Sequence, residues 1–385
     1  MSRDDPSFVD LALERVLGRL GSNTLHNNCD LNHPGGIYIY GAGDLGCLAM
    51  EYFVARGIPV LGVADKFKMG YLRTGEREKF QIVDPASVDA QTQKTKPIVV
   101  TIATHAFEPI RAQLRQIGWR MVIPFYAFAA EPQKSHPLQN GWKIGQVSEA
   151  ERDAIDTILA HLNDQTSRAH YASFMLWHID QSELLFDQHP IVPEDRYVIP
   201  EFVSAIEHRS AQLVDVGSHR AEIVKKYSKR SHHFGEYVLI EPDLQSFQNL
   251  SKEIRGISHT SEQFRKLNIL LGEEKTKQKF VSGLGYCSQA WKFGKTIKEV
   301  ETLDSLELNP SLLKIHTEGT ELSIIKGGLE TLRRYKPCLV FAVYHRREGF
   351  YKDIAEPMTM IPHYNWYFRL HAFQGTSAFV YGVPK

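Results

Sequence analysis

The stretch from Leu213 to Asp243, LVDVGSHRAEIVKKYSKRSHHFGEYVLIEPD, constrains this chain more than any other. Leu213, Val214 and Val216 read as a short buried strand, and Asp215-Val216-Gly217-Ser218 as a turn. Ala221 to Tyr227 follow as helix and Tyr237 to Ile240 as a second strand, which Pro242 stops just after Glu241. Two short apolar runs with a helical segment between them define a βαβ unit. A glycine after the first strand lets a ligand approach the backbone, because no Cβ intervenes. A carboxylate at the end of the second strand can accept hydrogen bonds from two ribose hydroxyls. Together these features describe a nucleoside site on the carboxyl edge of a parallel sheet. They also describe an ordinary βαβ turn with a capping Asp, and this stretch alone leaves both readings open.

A chain of 385 residues is expected to hold two or three domains. Hydrophobic residues at 43% and charged residues at 23% suit a globular protein with a sizeable core. Lys+Arg and Asp+Glu are both 45, so the formal net charge is +0 and no broad basic footprint for nucleic acid or anionic membrane is expected. Cys29, Cys47, Cys287 and Cys338 are far apart, with neither a disulfide framework nor a Cys/His spacing for zinc, so no metal is expected. The N-terminal MSRDDPSFVD has no apolar core of a signal peptide, and no apolar run reaches membrane-spanning length. The expectation is a cytoplasmic protein.

Residues 1–35 open with Phe8, Leu11, Leu13, Val16 and Leu20 near helical spacing, a packing helix ended by Gly21 and the polar Asn27-Asn28. A strand then runs from Ile37 to Tyr40 into Gly41, Gly43 and Gly46, which fit G-x-G-x-x-G before a helix from Leu45 to Arg56. The next strand, Val60 to Ala64, ends at Asp65, where a dinucleotide fold places its ribose carboxylate. Pro97 to Ala103 and Arg120 to Ile123 read as further strands around a helix from His105 to Ile117. Residues 36–130 thus read as a small Rossmann-like domain. It is either a site for NAD or a nucleotide sugar, or a module for packing or homo-oligomer assembly.

Residues 131–147 carry Pro and Gly without periodicity and read as a linker. The helical segments of 148–180 bring Tyr171, Trp177 and His178, which are either pocket residues or core. After Asp243 come a helix, Leu244 to Ile254, and the apolar Asn268 to Leu271. The polar, glycine-bearing stretch 272–300 reads as a flap over a site or an irregular hairpin. A strand through Leu312 to Ile315 runs into His316-Thr317-Glu318-Gly319-Thr320-Glu321 and a helix from Leu322 to Tyr335. Cys338 to Val343 forms a strand ending in Tyr344-His345, and Trp366 to Leu370 and Ala378 to Gly382 close the chain as strands. Lys314, inside an apolar strand, is either a snorkelling edge residue or, as its polar context favours, a carboxylate's partner.

The succession LVDVG, LIEPD, ETLDSL, LLKIHTEGTE and IIKGG resembles the FkbM-type methyltransferases over roughly residues 165–385. The resemblance implies S-adenosylmethionine as cofactor and methylation of a hydroxyl on a sugar or polyketide. It also implies that this part is a seven-stranded sheet with a reversed strand near its end, so that, with the Rossmann-like domain of residues 36–130, the expected fold is an α/β protein of two Rossmann-like doubly wound domains. Carried over residue by residue, it places Asp215, Gly217 and Ser218 along the cofactor, Glu241 on the ribose, and Pro242 and Asp243 beside the adenine. Glu318 and Glu321 fall beside the methyl donor, and His345 on the same edge. The chain departs from the family pattern where Arg220 stands for an acidic residue, Ala221 for a glycine, and His316 for the Asp of Lys-Ile-Asp.

Alkylation of a hydroxyl needs alignment above all, with a base adding about 10²–10⁴-fold. The candidates for the base are His316, Glu318 and His345. Against this, Glu318 can be a cap for the following helix and His345 a satisfied core histidine. The expected function is O-methylation of a sugar or polysaccharide hydroxyl, with a small-molecule or carbohydrate acceptor as partner. Its rivals are an NAD-dependent oxidoreductase acting at Gly41, Gly43, Gly46 and Asp65, and a non-catalytic binding protein that keeps the methyltransferase fold.

Overall fold

The computed structural model describes residues 7–20, 35–74, 78–130, 132–255, 257 and 263–385. Gly21, Asn27, Asn28 and Cys29 lie outside the described residues. Helix α1 (Ser7–Arg19) buries Val9, Ala12, Leu13 and Val16; of the residues expected on its apolar face, Leu13 and Val16, with Leu20 just beyond the helix, are buried, while Phe8 and Leu11 are half-buried. The first sheet holds β1 (Ile37–Tyr40), β2 (Val60–Ala64), β3 (Gly70–Thr74), β4 (Glu78–Val83), β5 (Pro97–Val100) and β6 (Met121–Pro124). Helices α2 (Asp44–Ala55), α3 (Ala90–Thr95) and α4 (Phe107–Ile117) connect its strands. The order is β3-β4-β2-β1-β5-β6, parallel throughout except for β3. Short apolar strands such as IYIY and PIVV are what a sheet covered on both faces requires. The β3–β4 hairpin escaped the sequence reading because it is an edge with outward apolar residues; Tyr71 is 54% exposed.

The segment expected to be a linker is packed. His136, Leu138, Asn140, Trp142 and Ile144 are buried, and the Trp142 ring stacks on His178 at 3.5 Å. Helices α5 (Glu149–His161) and α6 (Gln165–Asp180) follow, the first opened by a reciprocal Ser148/Glu151 capping box, the second capped by Asp164. Helix α6 packs on α1 and is buried on nearly every face. A short α7 (Pro200–Ile206) leads to the second large sheet.

That sheet is built from β7 (Gln212–Val216), α8 (Glu222–Lys229), β8 (Glu236–Ile240), α9 (Leu244–Glu253) and β9 (Phe264–Leu267). Strands β10 (Leu270–Leu271), β11 (Thr276–Val281), β12 (Gln289–Ala290) and β13 (Thr296–Glu301) then form a separate four-stranded sheet, so the polar stretch 272–300 is an ordered hairpin with additions. The chain returns as β14 (Pro310–Ile315), α10 (Glu321–Lys326), α11 (Leu329–Tyr335), β15 (Cys338–Ala342), α12 (Lys352–Met360), β16 (Tyr364–Leu370) and β17 (Ala378–Pro384). The order β16-β17-β15-β14-β7-β8-β9, with β17 antiparallel to both neighbours, is the seven-stranded sheet with a reversed strand. The single helix expected over 322–335 is broken at Gly327-Gly328. A Cβ on Gly327 would lie 2.1 Å from Gly272 O, so close backbone approach sets the break.

The two halves are joined by half-buried polar contacts. Both oxygens of Glu183 accept the first backbone N–H groups of α4, from Phe107 and Glu108. Phe373 N donates to Ala103 O at 2.8 Å, and Gln374 Nε2 to Ile102 O at 2.7 Å. Cys287, beyond β11, sits fully buried in an apolar cluster with Phe125 and Tyr126 of the first domain.

Candidate active site

A cavity of about 300 Å³ opens on the carboxyl edge of the second sheet, where β7, β8 and β14 end side by side. One wall is the loop after β7. Gly217 has φ +74°, and a Cβ there would stand 1.9 Å from His316 O, so the glycine is required by the neighbouring strand itself. Ser218 Oγ donates to Asp215 O at 2.6 Å. Ala221 has φ +51°, the left-handed region, which is the physical reason glycine suits that position. Arg220 faces the first domain, its guanidinium 3.1 Å from the Asp44 carboxylate at the start of α2. Both side chains are exposed, and both line the cavity.

Glu241 lines the cavity after β8, 6% exposed. One oxygen accepts His219 N–H and the other Asp243 N–H, both at 2.9 Å. Each oxygen keeps a lone pair, which leaves room for two further hydroxyl donors. Burial pushes its pKa up to about 7, and Asp243 adds to the rise; Lys314 and the two N–H bonds oppose it.

Three carboxylates expected along the cofactor do other work. Asp215 is not on the cavity wall. It is 1% exposed, and its Oδ1 is 2.8 Å from Lys314 Nζ, so Lys314 is a carboxylate's partner and Asp215 stands behind it. Lys314 Nζ also donates to Gly217 O at 2.6 Å. Asp243 caps α9 through Ser246 and accepts Gly283 N–H at 2.9 Å, tying the β11 hairpin to β8. Glu321 accepts Thr317 N–H and Gly319 N–H, both at 2.8 Å, and so holds the turn after β14.

Because Glu321 takes the turn's backbone, Glu318 is free of the capping role considered for it. Its φ is +59°, and its carboxylate faces two imidazoles. Oε2 is 3.2 Å from His345 Nδ1, and Oε1 is 3.8 Å from His316 Nε2. Burial pushes the His345 pKa down, but the Glu318 and Glu321 carboxylates outweigh it and the net shift is upward. His345 is 3% exposed and lies behind Glu318, off the cavity wall, which makes it a positioning residue. His316 lines the cavity between two phenols, with Tyr197 Oη 2.9 Å from Nδ1 and Tyr344 Oη 3.0 Å from Nε2. Burial first, then His345 and Lys314, hold its pKa well below the usual value, so it is neutral. Tyr197 and Tyr344 were missed in the sequence. Tyr344 directly precedes His345 at a strand end, a readable signal; Tyr197, at φ +70° in an irregular loop, gave none.

Tyr171, Trp177 and His178 are core residues, not pocket residues. The Tyr171 hydroxyl donates to Phe350 O, Trp177 packs edge-on to Phe107, and His178 lies between Trp142 O and Gly375 O. In the first domain, Gly41 has φ +112° and a Cβ on Gly46 would lie 2.1 Å from Gly41 O, so both glycines are set by the strand-to-helix turn. Nothing lies within 4 Å of a Cβ on Gly43. Asp65 already accepts N–H groups from Ala42, Phe67 and Lys68. Neither this geometry nor likeness to other proteins supports NAD or a nucleotide sugar there.

Strand order, reversed β17 and a cavity at the ends of β7, β8 and β14 define the class: a doubly wound α/β protein with a methyltransferase-type sheet. Residues 215–369 match the methyltransferase FkbM domain. Residues 215–369 therefore form a methyltransferase FkbM domain, preceded by a Rossmann-like domain, and mark the protein as a methyltransferase. No curated protein matches the chain. Among solved structures, methyltransferase FkbM from Methylobacillus flagellatus KT is similar with a TM-score of 0.60 and 16% identity, covering 98% of this chain and 100% of that one. This likeness concerns the fold and includes both domains. Cofactor-bound Rv0187 from MTB gives a TM-score of 0.32 at 10% identity over 62% of this chain and 98% of its own. A SAM-dependent methyltransferase from Leishmania major gives 0.29 at 11% identity over 63% and 84%. No helix among the described residues is long and apolar enough to cross a membrane.

Proposed function

We propose that the protein is an S-adenosylmethionine-dependent O-methyltransferase acting on a hydroxyl of a sugar or polysaccharide. The observation that carries this reading is one cavity with two unlike ends. The Gly217 loop and Glu241 form a nucleoside-type end, while His316, Glu318, Tyr197 and Tyr344 form a polar end. The donor chemistry fits: Glu241 has acceptor capacity for two ribose hydroxyls after its own backbone bonds are made. Bound there, S-adenosylmethionine would supply an electrophilic methyl group carried on a sulfonium. Gly217 and Ser218 shape the wall beside it. At the other end the Glu318 carboxylate, held by His345, takes the acceptor's proton. Neutral His316, with both ring nitrogens on phenols, fixes the Tyr197 and Tyr344 hydroxyls, whose remaining hydrogen-bonding capacity orients the acceptor. Phenols, imidazole and carboxylate together supply the donors and acceptors that a polyol requires.

The test is transfer of radiolabelled methyl from S-adenosylmethionine to a panel of sugars, oligosaccharides and glycolipids. Label in a sugar hydroxyl, reduced about 10²-fold or more in Glu318→Gln, is the expected result. Label appearing only in nitrogen or carbon acceptors would overturn the hydroxyl assignment.

A further inference from the structure

His316, Glu318 and His345 converge from three places: the end of β14, the turn after it, and the end of β15. One imidazole nitrogen from each histidine and one Glu318 oxygen lie within 4.8 Å of one another. The two rings face each other 5.2 Å apart at 29°. The side chains are 18%, 9% and 3% exposed in that order. Each ring nitrogen of His345 faces a carboxylate, Nδ1 at 3.2 Å from Glu318 Oε2 and Nε2 at 3.6 Å from Glu321 Oε1, and neither contact has the geometry of a hydrogen bond.

We propose that His316, Glu318 and His345 form a divalent-metal site. Two imidazoles and one carboxylate suit manganese, iron or zinc and not calcium or magnesium, which take oxygen donors. Metal–ligand bonds of about 2.0–2.2 Å bring donor atoms about 3–4 Å apart, so the triad closes on an ion by side-chain shifts of about 1 Å. His316 Nε2 exchanges the Tyr344 hydroxyl for the ion. Nδ1–H then donates to Tyr197 Oη, already 2.9 Å away, which keeps the ring oriented. His316 and Glu318 line the cavity, so the remaining coordination positions face the acceptor.

The consequence for catalysis rests on the methyltransferase reading. An acceptor hydroxyl on the ion releases its proton to solvent more readily, and Glu318 then acts as ligand in place of proton acceptor. His316, where the family pattern has Asp, supplies the second imidazole that shifts the donor set toward these metals.

The full chain, stripped with a chelator and dialysed, is titrated by calorimetry with Zn²⁺, Mn²⁺ and Mg²⁺, with no S-adenosylmethionine or acceptor present. One equivalent of Zn²⁺ or Mn²⁺ is expected, with Mg²⁺ much weaker. Affinity should fall by more than the ~10–100-fold that losing an outer-shell partner costs, in Glu318→Gln and in His345→Gln, each checked for folding by circular dichroism. The wild-type protein loaded with Co²⁺ should show visible d–d absorption from mixed nitrogen and oxygen ligation, which reads the site without a variant. No saturable binding and no Co²⁺ spectrum, or an affinity unchanged in both folded variants, would overturn the site. Metal binding with no methyl transfer to any acceptor would leave the site standing and count against the proposed function alone.

Discussion

Gly217 and Gly43 both follow a first strand, yet the structure gives them different reasons to be glycine. At Gly217 a Cβ meets His316 O at 1.9 Å and φ is +74°, so Gly217→Ala should cost about 2–4 kcal/mol in urea unfolding. At Gly43, the N-cap of α2, nothing lies within 4 Å and φ is −88°, so Gly43→Ala should cost no more than about 1 kcal/mol, the difference between Gly and Ala as a cap. Both glycines were legible as positions after a strand; which one the fold demands was not, because the demand comes from β14, about 100 residues away in sequence. Ala221 shows the same limit. Its left-handed φ explains the glycine expected there, yet its methyl is fully buried, so relief of about 1–2 kcal/mol of strain in Ala221→Gly is largely offset by lost burial and backbone entropy. Glu241 titrates near 7, held up by burial and Asp243 and opposed by Lys314. Since this folded pKa lies above the unfolded one, its stability contribution is present below the unfolded pKa, near 4.5, and is lost as pH rises through about 7. Ribose hydroxyls need the ionised acceptor, so nucleoside affinity should run the opposite way. It should fall as pH drops through about 7, and Glu241→Gln should flatten that profile in a calorimetric series.

Among the elements, those with short apolar runs were readable: the four expected strands of the first domain, and the βαβ unit from Leu213 to Ile240. Elements whose identity depends on contact were not. The segment 132–147 has the composition of a linker, but Trp142 gains a stack on His178 and an N–H bond to Tyr344 O, neither visible in composition. The helix expected over 322–335 breaks because Gly272 passes beside Gly327, a tertiary fact. The β11 hairpin is tied to the site at one point, where Gly283 N–H meets Asp243 Oδ1. Asp243→Ala removes that tie together with the cap of α9, and should cost about 1–2 kcal/mol in unfolding. Limited proteolysis near residues 282–286 should quicken in the variant; equal cleavage rates would count against the tether.

On the scale of the whole molecule, the two sheets are held together at several points. Glu183 caps α4, Gln374 and Phe373 bond to the loop after β5, and Cys287 fills an apolar cluster of the first domain. The Arg220–Asp44 pair, exposed on both sides, adds less than about 1 kcal/mol. Scanning calorimetry should therefore show one transition, and two separated transitions would contradict this coupling. The first domain thus stands beside the cavity, with Asp44 on its wall. The central claim is that this cavity holds S-adenosylmethionine with Glu241 on its ribose. The most direct measurement is calorimetric titration of the wild-type protein and Glu241→Ala with S-adenosylmethionine and its demethylated product. The account predicts saturable binding of both by the wild type and its loss in a folded Glu241→Ala. No binding of either by a folded wild-type protein, or binding unchanged in the variant, would contradict it.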